Sequence, residues 1–487
     1  MWKNCHSNCS HALFLQLECP LVIVAIFVTG IGGTFQYGFC VSVMTSPSDF
    51  IKELVNKTCL HRYGVSLDKS QVSLIWSFTV SIFCLGGLLG TLVAGPLITT
   101  FGRKPCLLLN NLLAIIGAVL MLFSQTAMSF EMIMAGRFLY GINSGVSLSV
   151  HPIYIIECTP KRLRLMVGVT IASCMSFGKF SGQLLGISEL LGTEERWPWL
   201  LGFNGFAALL QLSTLPFLPE SPRFLLLDKG DHQACEKALS RLWGNKDHSM
   251  EVEEMLQEKA ALQNVRSHSV MELIRDQSVR WQLITIIFTF TPLQLCGINA
   301  VYFYSFEVFG AAGIQEHQLR YAALGTGLCE LVTSIGCVSS IMLDIYFMTH
   351  ISWMPYCSMV LIFIFIFFFA GGPAGATAPL PGEIFTQSFK SAGYTIACTI
   401  NWAGLFVLGM VFPILVEKLD YFCFLIFLCF CVVCGLYVWF NVPETKNRTA
   451  LEIAAEFRKM HSKPGEPQRE INTKHEVNKT QTNETKF

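Results

Sequence analysis

Charge is scarce in this chain. Only 14% of its 487 residues are Asp, Glu, Lys or Arg, where a soluble domain carries about a quarter. The 34 basic residues balance the 34 acidic ones, so bulk electrostatics favours neither a nucleic acid nor an anionic surface, and no nucleic-acid partner is expected. Paired CxxC motifs of the kind that hold zinc are missing, and no metal is expected. No nucleophile–base pair and no phosphate-cradling glycine loop stands out, and His151 is isolated; an enzyme is not expected, nor is a cofactor. The 19 cysteines lie mostly inside apolar runs (Cys84, Cys106, Cys429, Cys431, Cys434) and read as small hydrophobes rather than a disulfide framework.

What the chain has instead is apolar length. Hydrophobic residues make up 52% of it, and mean hydropathy is +0.49. A bilayer crossing takes roughly 20 mostly apolar residues. Such runs occupy residues 20–43, 72–98, 105–126, 131–156, 166–188 and 199–218, then 283–306, 321–347, 353–381, 392–416 and 421–442. The first is too long for a signal-peptide core. Hydrocarbon cannot satisfy exposed backbone groups, so the runs are read as helices and the chain as an all-α, multi-pass membrane protein with the lipid bilayer as its main partner.

The polar gap divides the chain into a short N-terminus (1–19), a first helical half (20–223), linker helices (224–280), a second helical half (281–449) and a polar tail (450–487). Arg103-Lys104, Lys161-Arg162, Arg164 and the linker all fall on one side of the predicted crossings, which places that side in the cytoplasm. The sequon Asn56-Lys-Thr58 then lies outside as a glycosylation candidate, whereas Asn447, Asn478 and Asn483 face the cytosol. The plasma membrane is the expected location, with retention in the endoplasmic reticulum as the alternative.

An internal repeat supports two parallel halves. Glu157 precedes Arg164 by seven residues, as Glu383 precedes Lys390, and the two pairs are 226 residues apart. Pro219-Glu-Ser-Pro-Arg223 and Pro443-Glu-Thr-Lys446 follow the last helix of each half, 224 residues apart. Together with Gly95-Pro-Leu-Ile-Thr-Thr-Phe-Gly-Arg-Lys104 and Gln294-Leu-Cys-Gly-Ile-Asn299, these motifs resemble the sugar-porter branch of the major facilitator superfamily. Within it the chain resembles the facilitative glucose transporter family, in the group handling fructose and urate, over about residues 20–460. The resemblance implies two six-helix halves around one central site with alternating access.

The repeat also exposes a shortfall. The family's second Gly-Arg-Arg turn has no counterpart, since no Lys or Arg occurs between Arg320 and Lys390. Tyr321–Ile351 offers 31 residues, where two crossings and a turn need about 40, so the second half reads as short by about one helix in the region 321–352.

A hexose carrier lines its cavity with amides and hydroxyls that replace the sugar's water partners. Gln183, Gln294, Asn299 and Asn401 fit, and by resemblance they match sugar-contacting positions, with Tyr37 beside them; buried amides that join helices are the competing reading. Gly297, between Gln294 and Asn299, is a place where a helix can bend. Leu293, Ala378 and Glu330 depart from the glucose-selective pattern and point toward the fructose/urate group, and Ala376-Thr377 replaces the family's Ile-Pro pair. Cys40 stands where proton-driven relatives place an aspartate, which points to a uniporter. Lys179 lies one turn from Gln183 and is expected to pair with Glu330 along the route; a snorkelling lysine is the alternative.

Arg103, Glu157, Arg164, Glu220, Arg223, Glu383, Lys390 and Glu444 bracket the cytoplasmic helix ends and are expected to form a latch, with ion pairs across the halves that hold the outward-open state and break in the inward-open state. Two functions remain open: facilitative transport of a hexose or urate, or a non-transporting isoform that senses substrate or associates with a full-length carrier.

Overall fold

A computed structural model describes residues 20–160, 164–244, 248–263, 270–311, 314–339, 363, 364, 366, 367, 369, 377, 380–419, 423–444 and 450–461. Lys161, Arg162, Ala376, Ala378, Lys446, Asn447, Arg448, the other two tail sequons and most of the shortened region lie outside them.

The first half runs α1 (Pro20–Gly32), α2 (Thr34–Ser42), α3 (Ser48–Tyr63), α4 (Lys69–Phe101), α5 (Arg103–Phe123), α6 (Phe130–Cys158), α7 (Arg164–Leu185), α8 (Trp197–Gly202) and α9 (Asn204–Thr214). The linker holds α10 (His232–Trp243), α11 (Ser249–Gln263) and α12 (Val270–Arg275). The second half contributes α13 (Arg280–Leu295), α14 (Ile298–Phe303), α15 (Ser305–Ala311), α16 (Leu319–Ser339), α17 (Leu380–Ile384), α18 (Gln387–Leu419) and α19 (Cys423–Asn441), followed by α20 (Ala450–His461). Among the described residues no strand occurs.

Six of these stretches are long and apolar enough to cross a bilayer: Leu21–Ser42, Lys69–Phe101, Arg103–Phe123, Trp197–Phe217, Gln277–Phe303 and Ser388–Leu419. Their outward faces carry exposed Leu85, Leu89, Leu92, Leu109 and Phe123, as lipid contact requires. Local chemistry sets the ends. Asp68 and Gln71 form a reciprocal capping box at the start of α4, and Asp231 caps α10 by accepting from the Ala234 N–H at 2.9 Å.

Between helices, glycine replaces hydrophobic bulk. A methyl group on Gly86 would stand 2.2 Å from the Phe138 carbonyl oxygen, and one on Gly141 would stand 2.1 Å from that of Phe83. Helices α4 and α6 therefore cross at backbone distance, as small residues permit in a membrane. Gly297 has φ +88° and separates α13 from α14. The bend expected there is present, in a conformation that favours glycine.

Two ends can be told apart. The linker end carries Arg103, Glu157 and Glu220; the far end carries α3, Glu307 and Arg320. Among the described residues the halves meet mainly where α4 packs on α18 and α7 on α16, and also where α2 meets α14.

Candidate functional site

The amides read from the sequence fall into two groups at these joints. At the bend of the second half, Asn299 Nδ2 donates to Gln294 Oε1 at 2.7 Å, and Gln294 Nε2 donates to Asn401 Oδ1 of α18. Gln294 is buried, while Asn299 and Asn401 are half-buried. The chain of amides leaves the Asn401 N–H₂ and the Asn299 carbonyl for another partner.

Trp402, the residue after Asn401, was not singled out in the sequence. It reaches across the joint: its indole N–H donates to Thr91 Oγ1 at 2.9 Å, and its ring stands edge-on to Tyr37 at 6.0 Å and to Phe83 at 6.0 Å. Tyr37 is thus placed against Trp402 and Phe83, on the wall formed by α2, α4 and α18.

The second group joins α7 to α16. Gln183 Nε2 donates to Thr326 Oγ1 at 3.1 Å, and its Oε1 is buried with no protein partner. One turn along, Lys179 Nζ lies 2.8 and 3.0 Å from the two carboxylate oxygens of Glu330. Glu330 also accepts from Tyr302 Oη and, at 3.4 Å, from Ser176 Oγ. The Lys179 ammonium stands 4.2 Å from the Tyr302 ring centre. Tyr302 is another participant that the sequence reading missed; its three-residue spacing from Asn299 on α14 is the signal that was available.

On the far-end side the route is closed. The crevice bounded by Ser42, Thr45, Gln183, Gly186 and Ala323 has a volume of about 10 Å³, enough for one water at most. Thr45 Oγ1 donates to the Tyr302 carbonyl at 3.0 Å across the halves, and Lys52 pairs with Glu307 at 3.2 Å. Outside this seal a vestibule of about 460 Å³ is lined by Lys52, Gln71, Trp76, Ser77, Glu307 and Glu417.

At the linker end the bracket residues take partners close by. Arg103 lies 2.9 Å from Glu157 and 2.8 Å from Asp228, so its pairs are within the first half and its linker rather than across the halves. The reason is local: Gly102, at φ +98°, turns the chain so that α5 starts against Glu220 and Phe224. Glu220 accepts from the Lys104 N–H at 3.1 Å and the Ser221 N–H at 2.8 Å. Burial pushes the Glu220 carboxyl above its ordinary range despite those donors. Arg164 and Arg223 border a cavity of about 260 Å³ with Glu157, Glu251 and Glu254. In the second half Glu383 is exposed on α17, Lys390 is half-buried on α18, and Glu444 is exposed after α19. Asn56 is exposed on α3 at the far end.

Arg137 is buried, and among the described residues no carboxylate pairs with it. Its guanidinium donates to the Cys40 carbonyl at 2.6 Å and the Val80 carbonyl at 3.2 Å, and lies 4.5 Å from the Phe83 ring centre.

Comparison with known proteins gives consistent results. The family model "Sugar (and other) transporter" matches residues 25–343 and, a second time, residues 327–457. The facilitated glucose transporter member 9 of solute carrier family 2 from Mus musculus is 41% identical over 463 residues, covering 90% of this chain and 86% of its own. Member 5 from Bos taurus is 38% identical over 469 residues, covering 92% and 94%. Among solved structures, the major facilitator superfamily proton:xylose symporter XylE bound to 6-bromo-6-deoxy-D-glucose superimposes with a TM-score of 0.71. That match covers 90% of this chain and 99% of the symporter at 19% identity, a likeness of fold alone.

Proposed function

The chain belongs to the sugar transporter family, with the all-α fold of the major facilitator superfamily, and on that premise we propose that it is a facilitative carrier for a hexose such as fructose or glucose, or for urate. It is a multi-pass membrane protein and not an enzyme. The observation that carries the reading is the Asn299–Gln294–Asn401 amide chain at the bend of the second half, a short step from the joint between the halves. Hydroxyl-rich solutes need such amides, because each hydroxyl must recover the hydrogen bonds it leaves behind in water. Gln183, with its free carbonyl oxygen, supplies a further acceptor or donor from the first half, and Tyr37, Lys179 and Glu330 line the route beside it.

Uniport is the mode we assign. Cys40 is buried and carries no carboxylate, and the adjacent Arg137 is held by carbonyl oxygens, so this corner offers no acid to load and release a proton. The linker end is taken as cytoplasmic, with Asn56 outside as a glycosylation acceptor and the plasma membrane as the site of action. Glu383 and Lys390 are kept as latch candidates at that end.

The test is uptake of labelled fructose, glucose and urate into oocytes expressing this chain, normalised to surface protein. Saturable uptake of one of them is the expected result. Full surface expression with no uptake of any would replace this reading with a non-transporting member of the family.

A further inference from the structure

The contacts between α7 and α16 form a ladder. Gln183 and Lys179 are four apart on one helix, Thr326 and Glu330 four apart on the other, and they pair as two successive rungs at 3.1 Å and 2.8 Å. Each helix belongs to a different half. The lower rung is an ion pair with both members 8% exposed, among Ser176 at 1% and Tyr302 at 0%. Charge at this depth is costly, and packing alone does not require it, since buried ion pairs are replaceable by apolar side chains of similar size.

The partners of the two charges are unequal. Glu330 shares its own half with Tyr302, whose hydroxyl donates to it. The contacts of the Lys179 ammonium, to the Glu330 carboxylate and the Tyr302 ring, are all with the second half. If α7 and α16 part, Glu330 keeps a donor, whereas Lys179 loses both contacts. Separation therefore strands a cation, and the cost falls on whichever state opens this joint.

We propose that Lys179 and Glu330 form a charge lock across the halves that holds the far end closed and sets the resting balance between the two faces of the carrier. The pair is a positioning device and goes beyond the assignment of substrate amides, though it rests on the reading of the chain as an alternating-access carrier. Gln183, one turn away on the same helix face, links the lock to the substrate site. A ligand that takes the Gln183 amide competes with the upper rung and leaves the lower one to hold the joint.

The test reads access rather than transport, so a chain that carries no hexose still answers it. Ala323 is 3% exposed and bounds the crevice of about 10 Å³ that closes the far end. An Ala323→Cys reporter in the full chain, held in lipid nanodiscs, is labelled with a water-soluble maleimide, and labelling of the parent with its 19 native cysteines is subtracted. The deciding variant is Lys179→Met with Glu330→Met, which strands no charge and so folds without the pair. The lock requires its labelling rate at position 323 to rise by about tenfold. The exchanged pair, Lys179→Glu with Glu330→Lys, should return the rate toward the parent's. A parent-like rate in the Met/Met chain overturns the proposal. So does a fast rate in a folded, charge-exchanged chain. Absence of uptake with an intact labelling response would refute hexose transport and leave the lock standing.

Discussion

Gly87 of the first half and Trp402 of the second meet so closely that a methyl group on the glycine would stand 2.3 Å from the indole ring. No side chain fits between them while the far end is closed. Gly87→Val should therefore wedge this joint, at a cost of about 1–3 kcal/mol to the closed state. Trp402→Ala in the same chain should recover most of that loss, because it vacates the space. Access at the far end, measured for both single variants and the double, checks this. Additive effects would mean that the two residues do not meet in the membrane.

The crossing of α4 and α6 has no such slack. The methyl group of Gly141→Ala would meet the Phe83 carbonyl oxygen at 2.1 Å, and backbone cannot swing aside as an indole can. The expected outcome is a loss of folded protein, by about 1–3 kcal/mol or more, with little change in transport per surviving molecule. Detergent-solubilised yield and melting temperature, set beside uptake per surface copy, separate the two effects.

Much of this architecture was legible in the sequence, because the bilayer imposes helix length and hydropathy on every crossing. The bend at Gly297 could be read from a glycine set between two amides, and the contact of Lys179 with Glu330 from a cation and an anion at similar depth on helices expected to neighbour one another. Trp402 and Tyr302 were not legible as participants. Their roles come from the register between the halves, which brings Thr91 to Trp402 across 311 positions of chain and leaves no periodic trace. The partners that Arg103 takes with the far end closed were not legible for a related reason. A charge pattern repeated in both halves suggests pairing between them, yet the nearest anions, Glu157 and Asp228, are delivered by its own half and linker.

Arg103 therefore acts as a brace of one half. Its guanidinium holds α5, the end of α6 and the linker together, and its forked geometry is part of the contact, with Nη2 donating to Glu157 at 3.0 Å and Nη1 to Asp228 at 2.8 Å. Arg103→Lys keeps the charge but loses the fork, and should cost about 1–2 kcal/mol of stability. Glu157→Gln should cost a similar amount, and the two changes together less than their sum. Thermal unfolding of the solubilised variants checks this, and strict additivity would rule out direct pairing in the working protein.

Asn299 offers the sharpest separation between a substrate contact and helix glue. Its side chain donates to Gln294 at 2.7 Å while its own carbonyl oxygen stays available, so one residue both orients the amide chain and presents an acceptor. Asn299→Ala removes the acceptor and leaves the Gln294 carbonyl without that donor, a loss of about 1–3 kcal/mol, which corresponds to roughly 5- to 150-fold in kcat/KM. If Asn299 touches the transported solute, the loss should fall on uptake per surface copy, with expression near normal. If it only joins helices, surface protein should fall and transport per copy should hold. Uptake kinetics normalised to biotinylated surface protein distinguish the two, because a lost substrate hydrogen bond changes the rate of each carrier and a lost packing contact changes the number of carriers.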